Sequence, residues 1–172
     1  DQSHREVEQT SRLDPLTSLL NRLSFVEVAE KMLARARKHN SKLTLMFIDV
    51  DKFKSINDSY GHIQGDKVLC ELSEILKRSI RSDDAAGRFG GDEFVLVLNE
   101  TSIEHATLVA DRIQQETVKW VEANEFNLSL SIGIGEAPTH GNCLEELLLK
   151  VDRAMYDTKL SADIGGIAWV RS

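Results

Sequence analysis

The chain has 172 residues, of which 41% are hydrophobic and 28% charged, and 21 basic against 28 acidic side chains leave a formal net charge of -7. This is a soluble globular composition, sized for one domain or one domain plus a short extension, with enough apolar side chains for a core. The acidic balance excludes a basic face built for duplex nucleic acid, so a phosphate ligand would have to be met by metal ions and a few placed cations.

Residues 1–12, DQSHREVEQTSR, are polar and fit the end of a signalling helix or a linker, leaving 13–172 as the domain. In LDPLTSLLNR, Asp14 and Pro15 break the pattern. A helix is predicted over 24–39, with Ser24 as N-cap, Glu27 three residues on, and Phe25, Val28, Ala29, Met32 and Ala36 along one face. KLTLMFIDVD, 42–51, reads as a strand whose continuous apolar centre expects cover on both sides. A short helical turn and a helix over 64–80 follow, the latter striped by Val68, Leu69, Leu72, Ile75 and Leu76. AGRFGGDEFVLVL, 86–98, reads as strand, two-glycine turn, strand. A helix over 102–121, an alternating strand over 127–137, a helix over 143–161 and a short strand over 167–170 complete the order. This order implies an α/β (α+β) domain, a central mixed sheet flanked by helices and close to the ferredoxin-like arrangement. Cys70 and Cys143 have no CxxC or Cys/His companions, so they read as two buried thiols in a reducing compartment. No stretch approaches a membrane span and no signal peptide is visible, so a cytoplasmic domain is expected, with any membrane anchor in regions beyond this chain.

The chemistry starts at Asp49-Val50-Asp51. Strand residues two apart face one side, and a carboxylate just past an apolar run is costly unless something pairs with it. The hairpin adds Asp92 and Glu93 at its turn. If the two strands are neighbours, three or four carboxylates meet at one sheet edge, and a divalent cation relieves their repulsion. Oxygen-only donors favour Mg²⁺ or Mn²⁺. Asp49 with Asp92 reads as the metal pair, whereas Asp51 is expected to cap a helix starting at Lys52. Gly90 and Gly91 lack Cβ atoms and leave room for a nucleotide against the turn. Asn57 and Asp66 bracket a turn that also holds Gly61, His62 and Gly65. An amide and a carboxylate there suit guanine, whose N1–H and 2-amino group form a donor pair that adenine lacks. Turn formation and capping remain the ordinary reading of such residues.

RFGGDEF, with FIDVDKFKSINDSYGHIQGD and DPLTSLLNR before it, resembles the GGDEF family of diguanylate cyclases, in order from about Leu13 to Lys159. The resemblance implies a palm-like, nucleotidyl-cyclase-like fold that joins two GTP molecules into cyclic di-GMP, releases pyrophosphate and works as a homodimer. It implies that Asp49, Asp92 and the Val50 carbonyl hold metal with Glu93 beside them, and that Asn57 and Asp66 read guanine with His62 near the nucleotide. Lys54 and Lys159 match lysines that steady the triphosphate. Either Asp92 or the metal would draw the proton from the attacking hydroxyl. Arg81 and Asp84 form an RxxD at the spacing the family uses for product inhibition, and Arg112 matches a secondary contact. By themselves Arg81 and Asp84 read as a solvated ion pair. Two departures stand out: Ser18 replaces a common glycine, and Asp163 stands where the family tends to carry an arginine near the phosphates. Three other readings are a silent cyclic di-GMP sensor, a nucleotidyl cyclase with a mononucleotide product, and a dimerising output module. The intact GGDEF stretch with Asp49, Asn57 and Asp66 speaks for the enzyme.

Overall fold

The structure, a computed structural model, describes residues 11–160 and 165–171. Most of the polar N-terminal segment, and Asp163, lie outside them. The element order is α1 (Arg22–Lys38), β1 (Leu43–Val50), α2 (Phe53–Tyr60), α3 (His62–Ser79), β2 (Ala85–Arg88), β3 (Glu93–Leu98), α4 (Ile103–Asn124), β4 (Leu130–Ala137), α5 (Leu144–Leu160) and β5 (Ile167–Trp169).

The five strands form one sheet in the order β2-β3-β1-β4-β5. β1 pairs antiparallel with β3 and β4, β3 pairs antiparallel with β2, and β5 joins β4 in parallel. The β1, β2, β3, β4 core is therefore the interleaved ferredoxin-like order expected from the element sequence, in which β3 separates the parallel strands β1 and β2.

All eight residues of β1 are buried, because helices cover both faces of the sheet. Alternation along the strand sorts them. Met46, Ile48 and Val50 pack with Phe94, Leu96 and Ile132 under α3 and α4, through Leu69, Leu72, Ile75 and Ile113. Leu43, Leu45 and Phe47 pack with Val95 and Val97 under α1 and α5, through Phe25, Leu33, Leu147 and Val151. Burying each such large side chain contributes about 1.5–3 kcal/mol relative to exposure.

Two details set the positions of the later elements. A Cβ on Gly133 of β4 would collide with the Val151 carbonyl and sit 2.5 Å from the Met155 nitrogen, so the α5 backbone lies directly on the sheet. That close approach carries the C-terminal turn of α5 over the end of β1. The second detail corrects an expectation. Asn21, not Ser24, caps α1: its side chain accepts from the Ser24 amide at 2.9 Å, and Ser24 is buried inside the first turn. The asparagine engages a free amide of the helix start one turn earlier than the sequence pattern suggested.

The thiols also differ from expectation. Cys70 is half-buried, donates to the Leu16 carbonyl at 3.4 Å and is pushed up in pKa by burial first and Asp66 second, whereas Cys143 is exposed. Among the described residues no helix is long and apolar enough to cross a membrane.

Candidate active site

The acidic residues meet because β1 and β3 are hydrogen-bonded neighbours. Asp49 pairs in register with Glu93, and the Val50 amide donates to the Asp92 carbonyl at 3.2 Å. Since β1 and β3 are interior strands, the cluster lies at the end of the sheet rather than at its edge. Asp49 occupies the face that α5 covers, and Lys159 from the last turn of α5 forms an ion pair with its Oδ2. Burial is the largest influence on Asp49; Lys159 opposes it, Asp92 reinforces it, and the carboxyl is pushed up to about 7. Glu93 is raised by burial, then by Asp92 and Asp152.

Among the described residues, no three carboxylate, histidine or cysteine groups already encircle a point as a closed metal shell. The donors nevertheless fit a hard cation. Asp49 Oδ1 is buried with no hydrogen-bond partner, a costly condition for a carboxylate, and Asp92 stands beside it. All available donors are oxygens, which suits Mg²⁺ or Mn²⁺.

Asp51 does not cap a helix. Lys52 is the N-cap of α2, in a left-handed conformation, with no side-chain cap bond. Asp51 instead turns back to β4, where the Ser129 and Ser131 hydroxyls donate to it at 2.7 and 2.6 Å. It clamps the ends of two neighbouring strands, a tertiary pairing that competes successfully with local capping.

The signature turn has a support that sequence reasoning missed. The Arg88 Nε donates to the Gly90 carbonyl at 3.1 Å and Nη2 to the Gly91 carbonyl at 2.8 Å, while Nη1 meets Asp14. Phe89 seats the turn from below, its ring edge-on to Phe25 and Phe47 with the Arg22 guanidinium 5.0 Å above. The signal available was an arginine just before GGDEF with an acid in DPLT, but only folding shows that they touch. A Cβ on Gly91 would meet nothing within 4 Å, so the outer side of the turn is open.

The α2–α3 corner holds the remaining expected residues. Asn57 is half-buried against Gly65, where a Cβ would overlap its Oδ1 and lie 3.0 Å from its Cγ. Asp66 follows, exposed, and His62 is exposed at the start of α3. Lys54 is exposed on α2, one turn before Asn57.

On another face, Arg81, Asp84 and Arg112 come together in a groove of about 500 Å³ between the loop before β2 and α4. Arg81 Nη2 donates to the Asn99 carbonyl at 2.8 Å and the Thr101 hydroxyl at 3.0 Å, leaving the side chain 63% exposed. Asp84 is only 3% exposed and spends one oxygen on the Arg81 amide and the other on the Asn99 amide, at 2.9 and 2.8 Å. The expected solvated ion pair is thus a fixed loop in which Asp84 positions Arg81, and Asp84 does not present itself to a ligand.

The family model described as "Diguanylate cyclase, GGDEF domain" matches residues 11–163. The chain is 39% identical over 150 residues to the diguanylate cyclase DosC of Escherichia coli, covering 86% of this chain and 33% of that protein. It is 35% identical over 158 residues to the diguanylate cyclase DgcS of Shewanella oneidensis, covering 92% of this chain and 53% of that one. This chain thus spans about a third to a half of the length of these relatives. The crystal structure of the GGDEF domain of YfiN from Pseudomonas aeruginosa superposes with a TM-score of 0.84 at 34% identity, over 91% of this chain and 99% of the other. With the strand order, the paired acids and the two-glycine turn in place, the chain belongs to the GGDEF-domain family of diguanylate cyclases.

Proposed function

We propose that this domain condenses two GTP molecules into cyclic di-GMP and two pyrophosphates. The observation that carries the reading is the convergence of Asp49, Val50, Asp92 and Glu93 on one rung of the β1–β3 ladder, with a buried carboxylate oxygen lacking a partner. DosC and DgcS, both named diguanylate cyclases, support it. A divalent ion, Mg²⁺ or Mn²⁺, held by Asp49, Asp92, Glu93 and the Val50 carbonyl, would offset phosphate charge and lower the pKa of the attacking hydroxyl.

The chain's own residues supply the rest. Asn57 and Asp66 take the guanine edge, the carboxylate accepting from N1–H and the 2-amino group; adenine would leave that carboxylate half-paired. His62 flanks the nucleotide. The open side of Gly91 admits the phosphates to the turn, Gly90 packs beside Glu93, and Lys54 and Lys159 supply positive charge. The 3′-hydroxyl of one GTP attacks the α-phosphorus of the other, its proton passes to Asp92, and the bond to pyrophosphate breaks in line. One domain offers one such site, and the product is two-fold symmetric, so two copies face each other as an isologous dimer. GTP as substrate places the domain in the cytoplasm. The Arg81–Arg112 groove holds the product as an inhibitor, with Asp84 fixing Arg81.

The test is incubation of the purified domain with GTP and Mg²⁺, followed by mass analysis. Cyclic di-GMP from the native chain, absent with Asp92→Ala, is expected. Unchanged GTP overturns the reading; a cyclic mononucleotide would reassign the product.

A further inference from the structure

We infer that the solvent face of α5 is a self-complementary surface through which two copies of this domain pair antiparallel. The geometry of the pairing comes from α5 alone; its purpose rests on the two-copy reading of cyclic di-GMP synthesis.

Helical period sets the two faces of α5. Leu144, Leu147, Val151, Ala154 and Met155 point into the domain and are buried. At about 100° per residue, Leu149, Arg153, Tyr156 and Leu160 fall within an arc of about 60° on the opposite side. That side of a surface helix is ordinarily polar. Here Leu149, Tyr156 and Leu160 are 66%, 55% and 70% exposed. An open groove of about 490 Å³ runs beside them, lined by Leu149, Lys150, Asp152, Arg153 and Tyr156.

The order of these residues along the helix specifies a second copy as the occupant. Antiparallel pairing about a two-fold axis midway between Ala154 and Met155 sets Leu149 against the partner's Leu160 and Arg153 against the partner's Tyr156, each contact occurring twice. Leucine meets leucine at both ends. At the centre a guanidinium lies on a tyrosine ring, and the partner's Asp157, one residue further on, takes its charge. The bordering charges leave Arg153 and Asp157 free for that role. Lys150 is held by Glu146 at 3.0 Å and by the His140 carbonyl at 2.8 Å, and Lys159 is held by Asp49. Asp152 lies on the flank toward Glu93. Among the described residues neither Arg153 nor Asp157 has an ion-pair partner. Parallel pairing would instead bring the two Arg153 charges together.

The symmetry also places the candidate active sites. Rotation keeps the same flank of both helices on one side of the pair, so the two Lys159 flanks lie together. With a rise of about 1.5 Å per residue and axes about 8–10 Å apart, the two Lys159 Cα atoms stand roughly 16 Å apart. Both sites thus open on one side of the pair, as a reaction between two bound nucleotides requires. One helix pair buries less than the roughly 800 Å² per partner of a stable interface. The pairing is therefore reversible, with a Kd on the order of 0.1 mM.

The experiment is sedimentation velocity of the chain without nucleotide, from about 10 μM to about 1 mM. The native chain is expected to shift toward dimer across that range. Leu149→Glu should weaken association at least about tenfold, and Arg153→Glu and Asp157→Arg about three- to fivefold each. Mixing the Arg153→Glu and Asp157→Arg variants should restore association, because each new charge then meets its opposite on the other copy. All three positions face solvent, so far-ultraviolet spectra should match the native one. A native chain that stays monomeric throughout overturns the inference and leaves the stripe to another occupant. Association that survives Leu149→Glu, or a mixture no tighter than its components, overturns it too and assigns pairing to another surface or register. None of these readouts involves turnover, so cyclic di-GMP formation from GTP stands or falls by its own assay.

Discussion

Arg88 ties the signature turn to Asp14: its Nη1 donates to both oxygens of that carboxylate, at 3.2 and 3.1 Å, while the rest of the fork holds the Gly90 and Gly91 carbonyls. Both side chains are 17% exposed. The loop that carries Asp14 is itself fixed to β2, since Leu20 and Arg88 exchange backbone bonds with the strand and the loop. The entry of the chain into the domain and the turn bearing Asp92 are therefore one mechanical unit. Arg88→Ala is expected to cost on the order of 1–3 kcal/mol in a urea titration. It should also lower kcat more than it raises KM, because the turn loses its scaffold and not its ligands. Equal loss in both would mean that Arg88 contributes only to folding.

The same pair gives a pH dependence. Burial works to raise the Asp14 pKa, but hydrogen bonds from the Thr17 hydroxyl and amide and from Arg88 outweigh it and hold the carboxyl below its ordinary 3.8. A carboxyl with a depressed folded pKa stabilises fully above its unfolded value and loses that contribution as pH falls through the folded one. The stability gap between the native chain and Asp14→Asn should be large near neutrality and shrink below about pH 4. A gap that stays constant down to acid would sink the assignment.

Gly65→Ala separates guanine recognition from folding. The added methyl would overlap the Asn57 amide oxygen, the far end of a flexible side chain, while alanine suits the helix interior better than glycine by about 1 kcal/mol. The melting temperature should hold or rise, and KM for GTP should increase about two- to tenfold with the displaced amide, the size expected for one lost charge-free hydrogen bond in a recognition pair. A variant with native KM would remove Asn57 from the guanine site.

Ser18 occupies a left-handed turn with φ 62, and its amide donates to the Asp14 carbonyl at 2.9 Å. A β-carbon is disfavoured there by about 1–2 kcal/mol, partly offset in glycine by unfolded-state freedom. Ser18→Gly is expected to stabilise the domain by about 0.5–1 kcal/mol in chemical denaturation.

Metal binding can be read without turnover. Mg²⁺ should raise the melting temperature of the native chain in a concentration-dependent way, as any ligand of the folded state does. Asp49→Asn should abolish that response while keeping the side-chain shape. EDTA should stop product formation and leave the far-ultraviolet spectrum unchanged. Thermal stabilisation that survives Asp49→Asn would move the ion elsewhere.

Much of this protein is written locally. The apolar run Leu45–Ile48 gave β1, glycines and alternation gave the β2–β3 hairpin, and helical periodicity gave α3, α4 and α5, because each pattern reports which faces must be buried. Asp49, Asp92 and Glu93 were legible for the same reason: charges at the ends of buried strands need a partner. Which partner each polar group takes was decided only by folding. Asp51 left its neighbouring helix for two serines about eighty residues away, Asp84 turned inward onto its own loop, and Arg88 reached across the chain to Asp14. Hydrophobic burial is additive along a sequence and so leaves a periodic trace in it. Hydrogen bonds and ion pairs depend on ångström-scale approach between distant segments, and that approach exists only once the sheet has brought them together.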